Sequence, residues 1–180
     1  MRIEKPNFFL FTGGPGVGKT TVIEHLAAEG TRCIAETHRR VIREQMACDG
    51  RALPWVDPVA YREQTAREDI AIFDSLCHSD ELIFFDRGIP DSLPGPDDPP
   101  MPWLTSAVMA HRYNETVFVP PPWAEIYATD AERKQDFAEA IATHERIMRM
   151  LPSLGYSPIE LPKISVEARA KFVREIVAAA

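Results

Sequence analysis

The sequence predicts an α/β fold with a mostly parallel sheet, on three observations. Apolar, β-type runs recur along the chain, and most are followed by a stretch with helical character. The first strong run leads straight into a glycine-rich turn that opens a helix. The clearest second run, Leu82-Ile83-Phe84-Phe85, ends abruptly on charge, at Asp86-Arg87-Gly88.

The elements follow in order. Residues 8–12 (FFLFT) form a buried strand, and a helix runs from about Gly18 to Gly30, a glycine suited to the position just past a helix end. Residues 31–35 are a weaker strand. The helix after them, residues 37–48, is expected to present Val41, Ile42 and Met46 on one side. Asp57 followed by Pro58 is a helix start, carboxylate as cap and proline in the first turn, and that helix reaches about Cys77. After the strand at residues 82–85 comes a stretch from Pro90 to Pro102 holding six prolines, read as a loop. A short helix over residues 104–113 and a strand over 116–119, closed by three prolines, come next. Thr129-Asp130-Ala131-Glu132 matches a capping box, opening a helix to about Leu151. A last strand over 156–161 precedes a terminal helix opened by Ser165.

The chain of 180 residues is 45% hydrophobic and 26% charged, the composition of one ordinary globular domain spanning residues 1–180. A net charge of -7 argues against a nucleic-acid partner, because a phosphate backbone needs clustered Lys and Arg. No run approaches a membrane span, and the start lacks a signal-peptide pattern, so a cytoplasmic protein without a membrane partner is expected. Cys33, Cys48 and Cys77 have no C-x-x-C spacing and read as reduced thiols, and the histidines show no metal-ligand spacing. A monomer or homodimer is expected.

One motif decides the class. Gly13-Gly14-Pro15-Gly16-Val17-Gly18-Lys19-Thr20 satisfies G-x-x-x-x-G-K-[ST] in full, after a strand and before a helix. The glycines allow the backbone to turn its N–H groups into one concavity, and the helix beyond adds its positive end. Lys19 reaches the outer phosphates of a nucleotide, and the Thr20 hydroxyl ligates Mg²⁺. The nucleotide is expected to be ATP rather than GTP, since no N-K-x-D guanine motif occurs and no D-x-x-G follows the second strand.

Other candidates cluster where strands end. Asp86 suits a position holding Mg²⁺ or its water shell. Arg87 points toward the transferred phosphoryl group or the acceptor. Glu36 either contacts an acceptor hydroxyl, as ligand or base, or caps the helix beside it. Arg39, Arg40 and Arg43 either face an anionic acceptor or form a solvated face. Arg133, between the fourth strand and a long helix, is either a lid arginine closing on the phosphates or exposed helix charge. Trp55, Trp103 and Trp123 line an acceptor pocket or pack under loops.

The stretches FFLFTGGPGVGKTT, AETHRRVIREQ, LIFFDRGIPD, VFVPPPWAEIYATDAERKQDFAEA and LGYSPIELPKISVEAR resemble the small predicted ATPases grouped as an AAA domain. They are also similar to the ribosylnicotinamide kinase domain of NadR. The likeness runs from about Phe8 to Val173; DRGIPD and the WAEIY-to-QDF segment make it specific. The resemblance implies a three-layer P-loop NTPase fold with a five-stranded, mostly parallel sheet, nucleoside-kinase-like and carrying a helical lid. It implies ATP and Mg²⁺ as cofactors, Gly13 to Thr21 for phosphate, Asp86 for the metal and Arg133 for the lid. After Asp91 the chain departs into SLPGPDDPPMP, where a kinase relative is expected to continue as helix; an altered acceptor pocket and a lost transferase activity are both open. The function read from all this is Mg-dependent transfer of the ATP γ-phosphate to an unidentified small-molecule hydroxyl or phosphate. Its alternative is a slow ATPase serving as a regulatory module.

Overall fold

A computed structural model describes residues 2–14, 16–126 and 137–179. The main sheet is assembled from β2 (Phe8–Phe11), β3 (Arg32–Ile34), β4 (Ile83–Asp86), β6 (Thr116–Val119) and β7 (Ser157–Glu160). Its order is β3-β4-β2-β6-β7, and every pairing is parallel. A small parallel pair, β1 (Ile3–Glu4) with β5 (His111–Arg112), lies outside it. The described helices are α1 (Lys19–Ala28), α2 (Thr37–Ala47), α3 (Pro58–Leu76), α4 (Pro102–Ala110), α5 (Phe137–Ser153) and α6 (Val166–Ala179).

The layers follow from the alternation of side chains along each strand. Phe9 and Phe11 of β2, Phe84 of β4 and Phe118 of β6 face α1 and α6, where they meet Val22, Ile23, Leu26, Ala170 and Val173. Phe8 and Leu10, Ile83 and Phe85, Val117 and Val119 face the other way, against Phe73 of α3, Leu104 and Val108 of α4, and Ile147 and Leu151 of α5. Both faces of the sheet are therefore covered, which is why the strands read as unbroken apolar runs rather than alternating ones. Phe11 anchors the first face, its ring 5.0 Å from Phe118 and 5.5 Å from Phe84.

Local signals place most elements. Asp57 caps α3 by accepting from Ala60 N at 2.9 Å, and Ser165 caps α6 by accepting from Ala168 N at 3.3 Å. Gly30, at φ 93°, takes the left-handed turn that ends α1.

Three expectations need correction, and a fourth is not tested by the described residues. Met46 is not part of the buried side of α2; it is 54% exposed, while Val41 and Ile42 are buried. The proline-rich stretch is not loop throughout, because a 3-10 turn occupies Ile89–Ser92 and Pro102 is the first residue of α4. Proline without its N–H fits a first helical turn as well as it fits a loop. The helix expected over 104–113 ends at Ala110, where the backbone turns extended to pair with β1. The capping box at 129–132 and the lid read around Arg133 lie outside the described residues.

Candidate active site

Register brings the site together. Phe11 of β2 lies opposite Asp86 of β4, and Ile34 of β3 lies opposite Phe85. The segments leaving β2, β3 and β4 therefore emerge side by side at the carboxyl end of the sheet, where an open α/β fold presents its ligand crevice. They carry the glycine-rich loop, Glu36, and Asp86 with Arg87.

The loop runs from Thr12 into α1. Gly18 adopts φ 79°, a conformation that favours glycine, and a Cβ there would crowd Ile126 Cδ1 at 3.2 Å and Arg169 Nη1 at 3.3 Å. Lys19 is buried and donates to the carbonyls of Gly13 and Gly14, at 3.3 and 3.2 Å. Burial, reinforced by the nearby Arg87, lowers its pKa to about 8. Thr20 donates from Oγ1 to Asp86 Oδ2 at 2.9 Å. The other oxygen, Asp86 Oδ1, is buried with no hydrogen-bond partner among the described residues. Burial raises the pKa of this carboxyl against the pull of Lys19.

Arg87 sits behind these groups in the left-handed region, at φ 67°, a conformation that costs a non-glycine residue about 1 kcal/mol. It is held by two carboxylates, donating from Nε to Glu36 Oε1 at 2.8 Å and from Nη1 to Asp91 Oδ1 at 3.0 Å. Asp91 also accepts from Thr12 Oγ1 and, at 3.1 Å, from Gly88 N, so it ties the loop entrance to the turn after β4. Glu36 occupies the residue before α2 but makes no side-chain cap; Arg39 lies on its other oxygen at 3.2 Å. Burial works to raise the Glu36 pKa, yet the positive charges of Arg87, Lys19 and His38 outweigh it and hold the carboxyl at about 2. Burial likewise opposes the charge of Arg87, and Glu36, Asp91 and Asp86 reverse the balance and raise its pKa.

A cavity of about 380 Å³ opens beside the loop. Gly16, Val17, Gly18, Lys19, Thr20 and Thr21 form one wall with Glu36, and Trp123, Ile126, Ile164 and Ser165 face them. Arg169 joins the walls. It is 2% exposed, donates from Nε to Pro162 O at 2.8 Å and from Nη1 to Val17 O at 3.3 Å, and stacks 4.8 Å from the Trp123 ring. Of the predicted site residues, Gly13, Gly14, Gly16, Val17, Gly18, Lys19, Thr20, Thr21, Glu36, Asp86 and Arg87 are thus grouped in one region. Pro15 and Arg133 lie outside the described residues. Arg40 bonds Glu44 at 3.0 Å on an exposed face, and Arg43 is also exposed. Trp55 and Trp103 are 46% and 37% exposed, and Trp103 carries Arg67 over its ring.

Pattern and spacing do not reveal Asp91, Arg169 or His38, whereas Trp123, read as lining a pocket or packing under loops, lines this cavity. Asp91 carries one usable signal, its place four residues after Arg87 in the DRGIPD stretch. His38 is buried between Tyr61 and Ser92, its nitrogens 3.3 and 3.4 Å from their hydroxyls, with Asp69 3.8 Å away. Burial pushes His38 down to about 4 and Asp69 up to about 7, so this polar layer beneath Arg87 is neutral at moderately acidic pH.

A strand, a phosphate-binding type of loop and a carboxylate at the end of the neighbouring strand define the P-loop class. The family model described as an AAA domain matches residues 8–169, and the chain belongs to that family. Two solved structures share the fold. Shikimate kinase from Acinetobacter baumannii, in complex with shikimate, is similar at TM-score 0.58 and 15% identity, over 97% of this chain and 93% of that one. Thymidylate kinase from Ehrlichia chaffeensis is similar at TM-score 0.59 and 14% identity, over 95% of this chain and 97% of that one. The fold is that of P-loop kinases. A comparison with curated protein sequences finds no match. Among the described residues, no helix is long and apolar enough to cross a membrane, and no group of three His, Cys, Asp or Glu forms a metal cluster.

Proposed function

We propose that the protein is a Mg-ATP-dependent kinase that transfers the γ-phosphate to the hydroxyl or phosphate of a small molecule. The observation that carries this reading is the Thr20–Asp86 contact beside buried Lys19, at the base of a cavity lined by the glycine-rich loop. Thr20 Oγ1 and the orphaned Asp86 Oδ1 form a hard-oxygen donor set that fits Mg²⁺. Proteins hold this ion by one or two carboxylates plus substrate phosphates. Mg²⁺ bound there would neutralise charge on the phosphoryl oxygens as it develops.

The remaining work falls to the chain. Lys19 leaves the loop carbonyls for the β- and γ-phosphoryl oxygens, so its charge gains the partner that the free site denies it. Trp123, Ile126 and Ile164 offer apolar walls to the base, and Arg169 fixes the Trp123 ring relative to the loop through Val17. Glu36, ionised far below neutrality, is a weak base; it orients an acceptor hydroxyl by accepting its hydrogen bond. Arg87 sets the position of Glu36 and adds positive potential behind the transferred group. Phosphoryl transfer needs little from a strong base, because its transition state is loose and positioning dominates. Arg133 remains the proposed lid cation, on sequence alone.

The donor half has a pH signature. Lys19 has a pKa of about 8 in the free protein against 10.5 for an ordinary lysine. Phosphate restores the charged form, so nucleotide binding in the window from about 8 to 10.5 takes up a proton, and affinity falls as pH rises through it. The free protein shows the converse: its stability gains with rising pH there, since only the unfolded chain still binds that proton. Calorimetric titration of Mg-ATP below and within this window, in buffers of different ionisation enthalpy, should show weaker binding and proton uptake within it. Affinity independent of pH across the window would contradict the placement of Lys19 on the phosphates. ADP release from Mg-ATP in the presence of candidate acceptors tests the transfer step itself.

A further inference from the structure

A second cavity, of about 720 Å³, lies against the β1–β5 pair and is lined by Arg2, Lys5, Arg112, Asn114, Glu115 and Gly155 among others. The P-loop leaves the carboxyl end of β2, whereas Lys5, Asn114 and Glu115 bond to the amino ends of the main strands. Phe8 N donates to Lys5 O at 3.0 Å, Asn114 N to Phe8 O at 2.7 Å, and Ser157 N to Glu115 O at 2.7 Å. The cavity therefore belongs to the opposite end of the sheet from the candidate active site.

Two buried cations meet there. Lys5 and Arg112 are 9% and 7% exposed, and the backbone N of Lys5 bonds Arg112 O at 2.8 Å. Neither side chain has a carboxylate within ion-pair distance among the described residues; the nearby Glu4 is paired with exposed Arg2 at 2.7 Å. Lys5 donates to Ser79 O at 2.7 Å and lies 5.2 Å from the Phe8 ring. Arg112 donates from Nη2 to Gly155 O at 3.2 Å and stacks 3.9 Å from the Tyr156 ring. Arg112 Nη1 is buried without a hydrogen-bond partner among the described residues.

Lys and Arg are rarely buried without an opposite charge, because desolvating an uncompensated charge is expensive. The partners they have are neutral carbonyls, those of Ser79 and Gly155 in the segments after α3 and α5. A buried guanidinium on the wall of a cavity, with an N–H left over and no carboxylate within ion-pair distance among the described residues, describes a place for an anion.

We propose that this cavity is a second binding site, for a small ligand whose carboxylate or phosphate group pairs with Arg112. Because the P-loop itself would take phosphate, the test uses the full chain carrying Lys19→Ala. Inorganic phosphate and acetate are titrated separately at constant ionic strength while amide resonances are followed. Residues 4–6, 112–116 and 155 should shift saturably with a Kd at or below about 1 mM. Saturation by phosphate alone identifies a phosphoryl site, by acetate alone a carboxylate site, and by both a general oxyanion site. Adding Arg112→Gln should weaken binding by about tenfold or more. If that variant does not fold, Arg112→Lys, which keeps the charge and loses the fork, should weaken it several-fold while leaving the shifted residues the same. No saturable shift at these residues with either anion overturns the proposal, as does affinity that neither substitution changes.

Discussion

Lys19→Ala is expected to slow ATP consumption by about 10²–10³-fold, the usual cost of removing one preorganised charge from a site where negative charge develops. Lys19 is the cation of the loop itself, and its ammonium is held ready by the carbonyls of Gly13 and Gly14. Those contacts are to neutral groups, so they offset only part of the desolvation that lowers its pKa to about 8. Incoming phosphoryl oxygens exchange weak partners for strong ones, and the exchange is most favourable where charge is greatest. The same reasoning predicts how the folded state responds. Removing a buried, under-compensated ammonium should leave thermal stability unchanged or raised, so activity and Tm should part company. Wild-type turnover in the Lys19→Ala protein would remove the mechanism proposed for this loop.

Asp86→Asn should be equally damaging to turnover, by about 10²–10³-fold, and for a different reason. The substitution keeps the size of the side chain and leaves an amide oxygen able to accept from Thr20 Oγ1, but it discards the negative charge. The carboxylate is nearly buried, 3% exposed, with its pKa raised by desolvation and Oδ1 unsatisfied. A folded protein keeps such a group when a cation is to be held, since a buried ionised carboxylate otherwise costs stability. Steady-state rates measured across a range of Mg²⁺ concentration should show the apparent requirement for the ion rising steeply in Asp86→Asn. An unchanged Mg²⁺ dependence would place the metal elsewhere.

The parts of this architecture that were legible in the sequence are those encoded locally. The glycine-rich loop, the run of phenylalanines before it and the caps at Asp57 and Ser165 depend on neighbours within a few residues. Asp86 is legible because the apolar run before it stops so sharply, and the β2–β4 register then sets it opposite Phe11 at the loop entrance. What spacing could not show is who partners whom. Glu36 read equally as a cap or a site residue; its bonds to Arg87 and Arg39 come from β3 and β4 lying side by side. Arg169 and Trp123 are far apart in sequence and meet only because α6 returns beneath the loop. The β1–β5 pair escapes notice because strands of two residues carry no periodicity. Met46 fits the apolar stripe of α2 yet lies on its exposed side, since periodicity marks a face without saying how far the neighbouring element reaches.

The proline-rich stretch shows the same limit in another form. Its departure from helix suggested an altered acceptor side, and its beginning proves to be firmly structured. Asp91 ties Thr12, Arg87 and the Gly88 backbone into one unit. Gly88 itself leaves no space for a side chain, because a Cβ would come within 2.6 Å of Tyr113 Oη. Further along, Asp98 holds the stretch against α3 through Arg62 at 2.7 Å. The stretch thus begins as part of a fixed Arg87–Glu36–Asp91 cluster rather than as an open loop, and under the proposed function that cluster is the acceptor side.

The most direct test of the central claim is ADP release from Mg-ATP, screened against nucleosides, ribosylnicotinamide, amino alcohols and sugars, with the phosphorylated product identified by mass. A Mg-ATP kinase predicts that at least one acceptor raises ADP release well above the basal rate, with one phosphoryl group on the acceptor for each ADP formed. Tight ATP binding with slow hydrolysis that no acceptor stimulates would contradict it and identify a regulatory ATPase instead.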